Sequence, residues 1–465
     1  MGMCKERFAK VATLVGVHLL TAPSSFLWNY GNLSAYMESY FHVFCFPGCV
    51  DGDSQWIINL YVASFCPGLC LSRPLCNYLG MRWSGIVAMI ICNAGLISSA
   101  WSIKVSVMGT SLLMGLLCGL GTGTSLCTAF MYVNAWVVKN KGLFVATVTS
   151  APTILSILQN QMITMYVNPK NLKPDTAIGP KTYFSDLALL KRVPNIVFIL
   201  GLMTFVLQLL GNILVSDPPS TPKTTSTDKT QKSIILKNGT YDTKSALEPD
   251  GEKTKDIEIA TATTEQLPRP LKALEVLKTG SFKALWLYVV ALMYGLILKN
   301  NYYKQFGLLY IENDKFLTLV GSLIPVTASI TRIAFGGLLD RNILSIKDCM
   351  IITLSVNSLL CDFWWFAPQV NGLFYMILIL SMASMHSVTY TLAATGTLQV
   401  FGPANFATNF ALVYTAATVT SIVTALTVNP LLQALGWFWL FTSCGIVSGV
   451  ALFSTIVINM EKKET

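Results

Sequence analysis

Apolar residues run along the chain in stretches of about twenty, the length that crosses a bilayer as a helix, and polar residues collect between them. Only a helix satisfies its own backbone within one such stretch. Twelve spans are predicted, over residues 8–29, 54–72, 84–103, 106–137, 143–167, 194–215, 282–303, 317–339, 348–367, 371–398, 408–430 and 436–458. The fourth and tenth are long enough to project from the membrane. Between the sixth and seventh the pattern breaks: residues 216–281 hold SDPPSTPKTTSTDKTQK and LEPDGEKTKDIE, too poor in apolar and aromatic side chains to order themselves. The expected organisation is an all-α membrane protein with a six-helix half over 1–215, a disordered linker over 216–281 and a second six-helix half over 282–465.

Composition agrees with this pattern. Of 465 residues, 53% are apolar and 12% charged, about half the share of charge in a soluble protein. A cytosolic enzyme, a coiled coil and a disordered chain are thereby excluded. The basic residues behind the net charge of +9 are spread over loops and helix ends and do not form a basic groove with aromatics, so no nucleic-acid partner is expected. Lys5, Arg7 and Lys10 stand at the start of the first span, which has no small-residue cleavage site and is read as a retained helix. Most cysteines, Cys92, Cys118, Cys127 and Cys444 among them, sit singly in apolar runs as packing residues, and no spacing suggests a metal or cofactor. Cys45 and Cys49 are the exception, a disulfide loop or two free thiols.

Two six-span halves around a linker suit a transporter built from repeats, with its site near the midplane. A twelve-span sensor or membrane enzyme is the alternative, but the polar clusters at helix ends that membrane catalysis needs are missing. Glycines 119, 121 and 123 in the fourth span predict close helix packing. Trp28, Tyr30, Tyr36 and Tyr40 suit an aromatic belt at the membrane interface.

Two loops carry the same pattern at equivalent places: Arg73-Pro74-Leu75-Cys76-Asn77-Tyr78-Leu79-Gly80-Met81-Arg82 after span 2 and Gly336-Gly337-Leu338-Leu339-Asp340-Arg341 after span 8. They resemble the G-x-L-x-D-R-x-G-R-R loop of the major facilitator superfamily, whose acid–base pairs latch the cytosolic face. The second copy keeps Asp340-Arg341; the first has Asn77 and Tyr78 in place of the pair, so its latch is uncharged. The resemblance implies gating roles for Arg73, Asn77, Arg82, Asp340 and Arg341 and places both termini in the cytosol. A plasma-membrane location is expected. Within the superfamily, Trp28-x-Tyr30-Gly31-Asn32, Gln55-Trp56, the glycine repeat, Trp136, Lys139-Asn140-Lys141-Gly142, Phe282-x-x-Leu285-Trp286, Asn301-x-x-Lys304-x-x-Gly307 and Thr331-Arg332 are similar to the oxalate/formate antiporter and monocarboxylate transporter branch.

Ionisable residues within spans carry the functional information, because each costs several kcal/mol unless paired or wet, about 2.5–3.5 on insertion scales. Arg332 lies past the middle of span 8, and a guanidinium grips a carboxylate through two parallel hydrogen bonds. In the resembled branch an arginine here binds the substrate carboxylate; the alternative is a brace at the cytosolic gate. The branch's further charges are absent: Ala417 stands near the position of the antiporter's second cation, Ala328 replaces an aspartate, and the first span has no lysine past Lys10 at its start. His386 and His18 are then the titrating candidates, each a packing residue in the other reading. Asp362 and Glu38 are read as interfacial. Lys299 and Lys304 are expected to snorkel from the end of span 7, with Lys304 also able to draw an anion inward. Tyr30, Tyr132, Gln159, Asn160 and Tyr294 are neutral candidates for the cavity wall.

The expected function is secondary transport of a small organic anion, most simply a monocarboxylate such as lactate, pyruvate or formate, by a monomer in a lipid bilayer. Protons join if His386 titrates; otherwise the carrier is a uniporter or an exchanger. The alternatives are a transporter of amino acids or larger amphipathic compounds, and a non-transporting receptor or scaffold.

Overall fold

A computed structural model describes residues 2–44, 54–137, 141–217, 273–402 and 406–458. Helix α1 runs through Gly2–Leu20, the 3-10 turn Ala22–Ser25 and Phe26–Phe44, Pro23 setting the turn. There follow α2 (Gln55–Leu79), α3 (Met81–Ser102), α4 (Val107–Trp136), α5 (Lys141–Val167) and α6 (Val193–Leu214). The second half holds α7 (Gly280–Gly307), α8 (Asp314–Asp340), α9 (Ile346–Trp364), α10 (Gly372–Phe401), α11 (406–435) and α12 (437–457). The last two are parted only by Gly436, whose φ of 78° breaks the helix. Residues 218–272 of the expected linker, with Cys45 and Cys49, lie outside the described residues, and the short helix Ala273–Lys278 precedes α7.

Among the described residues 8 helical stretches can by length and hydropathy cross a membrane, one being the merged Thr408–Val457. The others, α2, α5 and α9, are less apolar because they bury polar residues such as Asn59, Gln159, Asn160 and Asn357. Outwardly the bundle is apolar: Ile90, Trp101, Ile213, Leu359 and Phe453 are all exposed. Polar residues inside and apolar ones outside is the pattern of a protein solvated by lipid.

Ser216 bonds to Thr13, and Lys347 reaches the Ile456 and Ile458 carbonyls, so the ends of α1, α6, α9 and α12 gather on one side, the terminal face. On the opposite, distal face a hairpin of β1 (Thr176–Ile178) and β2 (Lys181–Tyr183), paired Thr176 to Tyr183, lies between α5 and α6. The Ser185 hydroxyl and amide hold the Asp175 carboxyl beside it below the usual carboxylate range. Trp437 Nε1 donates to the Pro180 carbonyl at 2.6 Å and Lys181 pairs with Glu38 at 3.2 Å, so the hairpin is fastened to both halves.

The expected first span ended at residue 29, but the helix continues to Phe44. Hydropathy counts the polar tips of Tyr30, Asn32, Tyr36 and Ser39 as a boundary. In the fold these tips bond to other helices, and the aromatic residues assigned to an interfacial belt are interior: Tyr30 and Tyr36 are wholly buried and Tyr40 nearly so.

Glycines set the helix spacing in the first half. A Cβ at Gly121 would stand 2.5 Å from the Cys92 amide nitrogen and 2.8 Å from the Ala88 carbonyl oxygen, both backbone atoms of α3. Gly119 and Gly123 face α2 in the same way. Gly121→Leu is therefore expected to force α3 and α4 apart and to cost about 3 kcal/mol or more, the upper range of core overpacking. A fall in melting temperature, with loss of the monodisperse peak in size-exclusion chromatography, checks it.

Candidate functional site

The halves are joined mainly toward the distal face. Lys304 of α7 pairs with Asp314 of α8 at 2.6 Å, both side chains fully buried. Helices of the first half close over this pair. Lys304 donates to Asn32 Oδ1 at 2.5 Å and to the Tyr36 hydroxyl at 3.0 Å; Tyr36 donates to Asp314, and Asn168 donates to Asp314 Oδ2 at 2.9 Å. The Thr164 and Thr318 hydroxyls meet at 2.6 Å. Pro325 inside α8 leaves the carbonyl of Gly321 without its helical partner, and Asn160 takes it at 3.4 Å.

A cavity of about 170 Å³ lies on the terminal side of this seal, between the halves. Its walls are largely aromatic, with Trp28, Tyr61, Phe65, Phe130, Tyr390 and Tyr414, and its polar groups include Arg332, His386 and Ser387. Among the described residues no carboxylate lines it.

Arg332 reaches the cavity from α8. Among the described residues its Nε bonds only to the Ala328 carbonyl of its own helix, at 3.3 Å, and its guanidinium carbon lies 5.8 Å from the centre of the Trp28 ring. Nη2 is buried with no hydrogen-bond acceptor among the described residues. A planar donor held against an aromatic wall, with no counter-ion among the described residues, is suited to an anion brought from outside.

His386 lies on α10, where Gly295 of α7 makes room for it; a Cβ there would stand 2.5 Å from Nε2. Asn357 donates to Ser448 at 2.9 Å, which turns its Oδ1 to His386 Nε2 at 2.8 Å. On that assignment the ring proton sits on Nε2 and Nδ1, which has no partner among the described residues, is a bare acceptor.

Of the residues singled out in the sequence, the fold brings Arg332 and His386 together in the cavity. Three are placed elsewhere. Tyr30 donates to the Ser54 carbonyl at 2.5 Å, Tyr294 meets Ser443 of α12 at 2.8 Å, and Lys304 belongs to the distal seal. Lys299 and Lys304 do not snorkel: both are wholly buried, because α7 continues to Gly307 and keeps them inside the bundle. Glu38 is likewise held within the fold, by Ser54 at 2.7 Å and by Lys181. His18 bonds to Leu14 and Thr147. Arg73, Asn77, Arg82 and Arg341 are exposed on the terminal face; Asp340 ends α8, and its side chain lies outside the described residues. Sequence reasoning passed over Trp28 as a belt residue and Lys299 as a snorkelling one. A helix end four residues later was the signal that would have placed Lys299 inside.

No family model matches the chain, and no curated protein sequence matches it. Among solved structures the chain is similar to the xylose transporter XylE from E. coli in its inward open conformation, at 13% identity over 98% of this chain and 97% of that one, with a TM-score of 0.64. It is similar also to the nucleoside transporter NupG, at 13% identity over 98% and 100% of the two chains and a TM-score of 0.62. A POT family transporter in complex with 5-aminolevulinic acid matches at 11% identity over 95% of both chains, with a TM-score of 0.62. At these identities the likeness is one of fold. The chain thus has the all-α fold of major facilitator transporters.

Proposed function

We propose that this protein is a secondary transporter of a small organic carboxylate, most simply a monocarboxylate such as lactate, pyruvate or formate, working by alternating access. The terminal face is cytosolic in this reading, and the protein sits in the plasma membrane. The observation that carries it is Arg332, a half-buried guanidinium beside an aromatic-walled cavity, its Nη2 buried and with no acidic partner among the described residues. A carboxylate supplies the missing charge and acceptors. Shared fold with transporters of xylose and nucleosides supports the transport class. The seal on the distal side and the cavity on the terminal side support an inward-facing arrangement. Aromatic walls favour a second, wider reading, in which the carboxylate belongs to an amino acid or a larger amphipathic compound.

Proteoliposomes holding the whole chain test the proposal. Labelled lactate, pyruvate, formate and oxalate are offered with and without an inward proton gradient. Saturable monocarboxylate uptake is the expected result; well-folded protein that moves none of these anions overturns it. Stimulation by the gradient would make the bare Nδ1 of His386 the next position to alter.

A further inference from the structure

Lys299, buried, and Arg332, half-buried, are two cations on one tryptophan. Lys299 projects from α7, is wholly buried, and its Nζ has no hydrogen-bond acceptor among the described residues. It lies 5.9 Å from the centre of the Trp28 ring, against 5.8 Å for the Arg332 guanidinium carbon. A cation–π contact at that distance offsets only part of the cost of drying an ammonium. The position along α7 adds the second observation. At 1.5 Å of rise per residue, Lys299 stands about 6 Å beyond Gly295, which is level with His386 and the cavity, and about 7.5 Å short of Lys304 in the distal seal. Arg332 is thus the cation of the cavity, and Lys299 is the cation between the cavity and the seal. Lys304 itself is already compensated by Asp314 at 2.6 Å.

We propose that Lys299 is the substrate-binding cation of the distal-open form: a carboxylate arriving from the distal face meets Lys299 and passes along the face of Trp28 to Arg332. The proposal rests on the carboxylate reading of the Arg332 cavity. When α1 and α5 part from α7 and α8, Asn32, Tyr36 and Asn168 leave the Lys304–Asp314 pair, and Lys299 is the uncompensated cation that water and anions reach next. In the terminal-open form it is dry and unpaired. An empty carrier therefore gains by opening distally, where Lys299 is hydrated or finds an anion. One carboxylate serves both cations in turn, which suits a singly charged substrate.

Two measurements on the full chain test this. In intact cells the protein is treated with the membrane-impermeant acylating reagent sulfo-NHS-acetate, and modified lysines are mapped by mass spectrometry, the exposed Lys170 serving as the control for the distal face. Lys299 is expected to be acetylated from outside and to be protected at least fivefold by saturating pyruvate. Modification of Lys170 but not Lys299, or modification of Lys299 that pyruvate leaves unchanged, overturns the proposal. In proteoliposomes, Lys299→Met is expected to raise the external half-saturation concentration for pyruvate exchange at least tenfold and the internal one less than twofold, with Lys299→Arg within threefold of the wild type on both sides. Equal changes on the two sides, or none, refute the assignment. Wild-type protein that moves no carboxylate means that the transport reading itself has failed. Wild type that moves pyruvate while Lys299 stays unmodified and dispensable means that this proposal alone has failed.

Discussion

Arg332→Ala is expected to lower carboxylate uptake by about 100-fold or more while the protein melts at the wild-type temperature or above it. The two halves of this expectation come from one geometry. A carboxylate held by two charge-assisted hydrogen bonds of about 1.5–3 kcal/mol each loses both, and each 1.4 kcal/mol is a factor of ten. The fold loses little, since Nε touches only the Ala328 carbonyl of its own helix at 3.3 Å and Nη2 has no protein acceptor among the described residues. Removing a half-buried charge whose Nη2 is dry and without an acceptor among the described residues relieves part of a desolvation cost. Arg332→Lys keeps the charge and loses the planar fork, so it should restore part of the uptake. Thermal unfolding beside the uptake assay separates the two readings of this residue. A brace between helices would show a clear fall in melting temperature, with loss of transport in proportion to loss of folded protein.

Much of the fold was legible because lipid imposes a simple rule on every span. Apolar runs of helix length and the paired loops after spans 2 and 8 lead to the same all-α membrane bundle that the helices form. Helix ends were less legible where the interior is polar. Tyr36 and Asn32 look like the edge of a span to a hydropathy window, yet they point into a cluster whose other members, Asn168, Lys304 and Asp314, lie far away in sequence. Only tertiary pairing shows that such residues are inside. Lys299 was hidden for the same reason: a lysine four residues from the expected end of a span reads as snorkelling, and one inside a helix that runs on to Gly307 cannot. Arg332 was visible because it lies too deep for any helix-end shift to bring it to the surface. His386 was visible by its helix, but its pairing with Asn357, and hence which ring nitrogen is bare, needed the packing of α9 against α10.

Lys304→Met and Asp314→Leu, made singly, are expected to destabilise the protein by about 3–5 kcal/mol, the usual cost of stranding one member of a buried ion pair. Lys304→Met combined with Asp314→Leu should recover most of that loss. The direction follows from the surroundings. Both side chains are fully buried, and every polar group they meet is placed for the ionised pair: Tyr36 accepts from Lys304 and donates to Asp314, Asn32 turns its oxygen to the ammonium, and Asn168 its amide to the carboxylate. Loss of either charge leaves the other facing dipoles oriented for a partner that has gone. Loss of both removes the desolvation cost as well, which is why apolar replacements of buried pairs are often tolerated. Thermal unfolding of the four proteins closes a double-mutant cycle. A coupling of 1 kcal/mol or more supports the pair as the centre of the seal, and strictly additive losses would reject it. The double variant carries a further consequence for alternating access. Asn32, Tyr36 and Asn168 belong to the first half and the ion pair to the second, so removing the pair takes away what those three residues hold. The distal ends of α1, α5, α7 and α8 should then exchange amide hydrogen faster than in the wild type even where the melting temperature has recovered. Unchanged exchange there would mean that the remaining contacts of α1 and α5 hold the distal face closed without the ion pair.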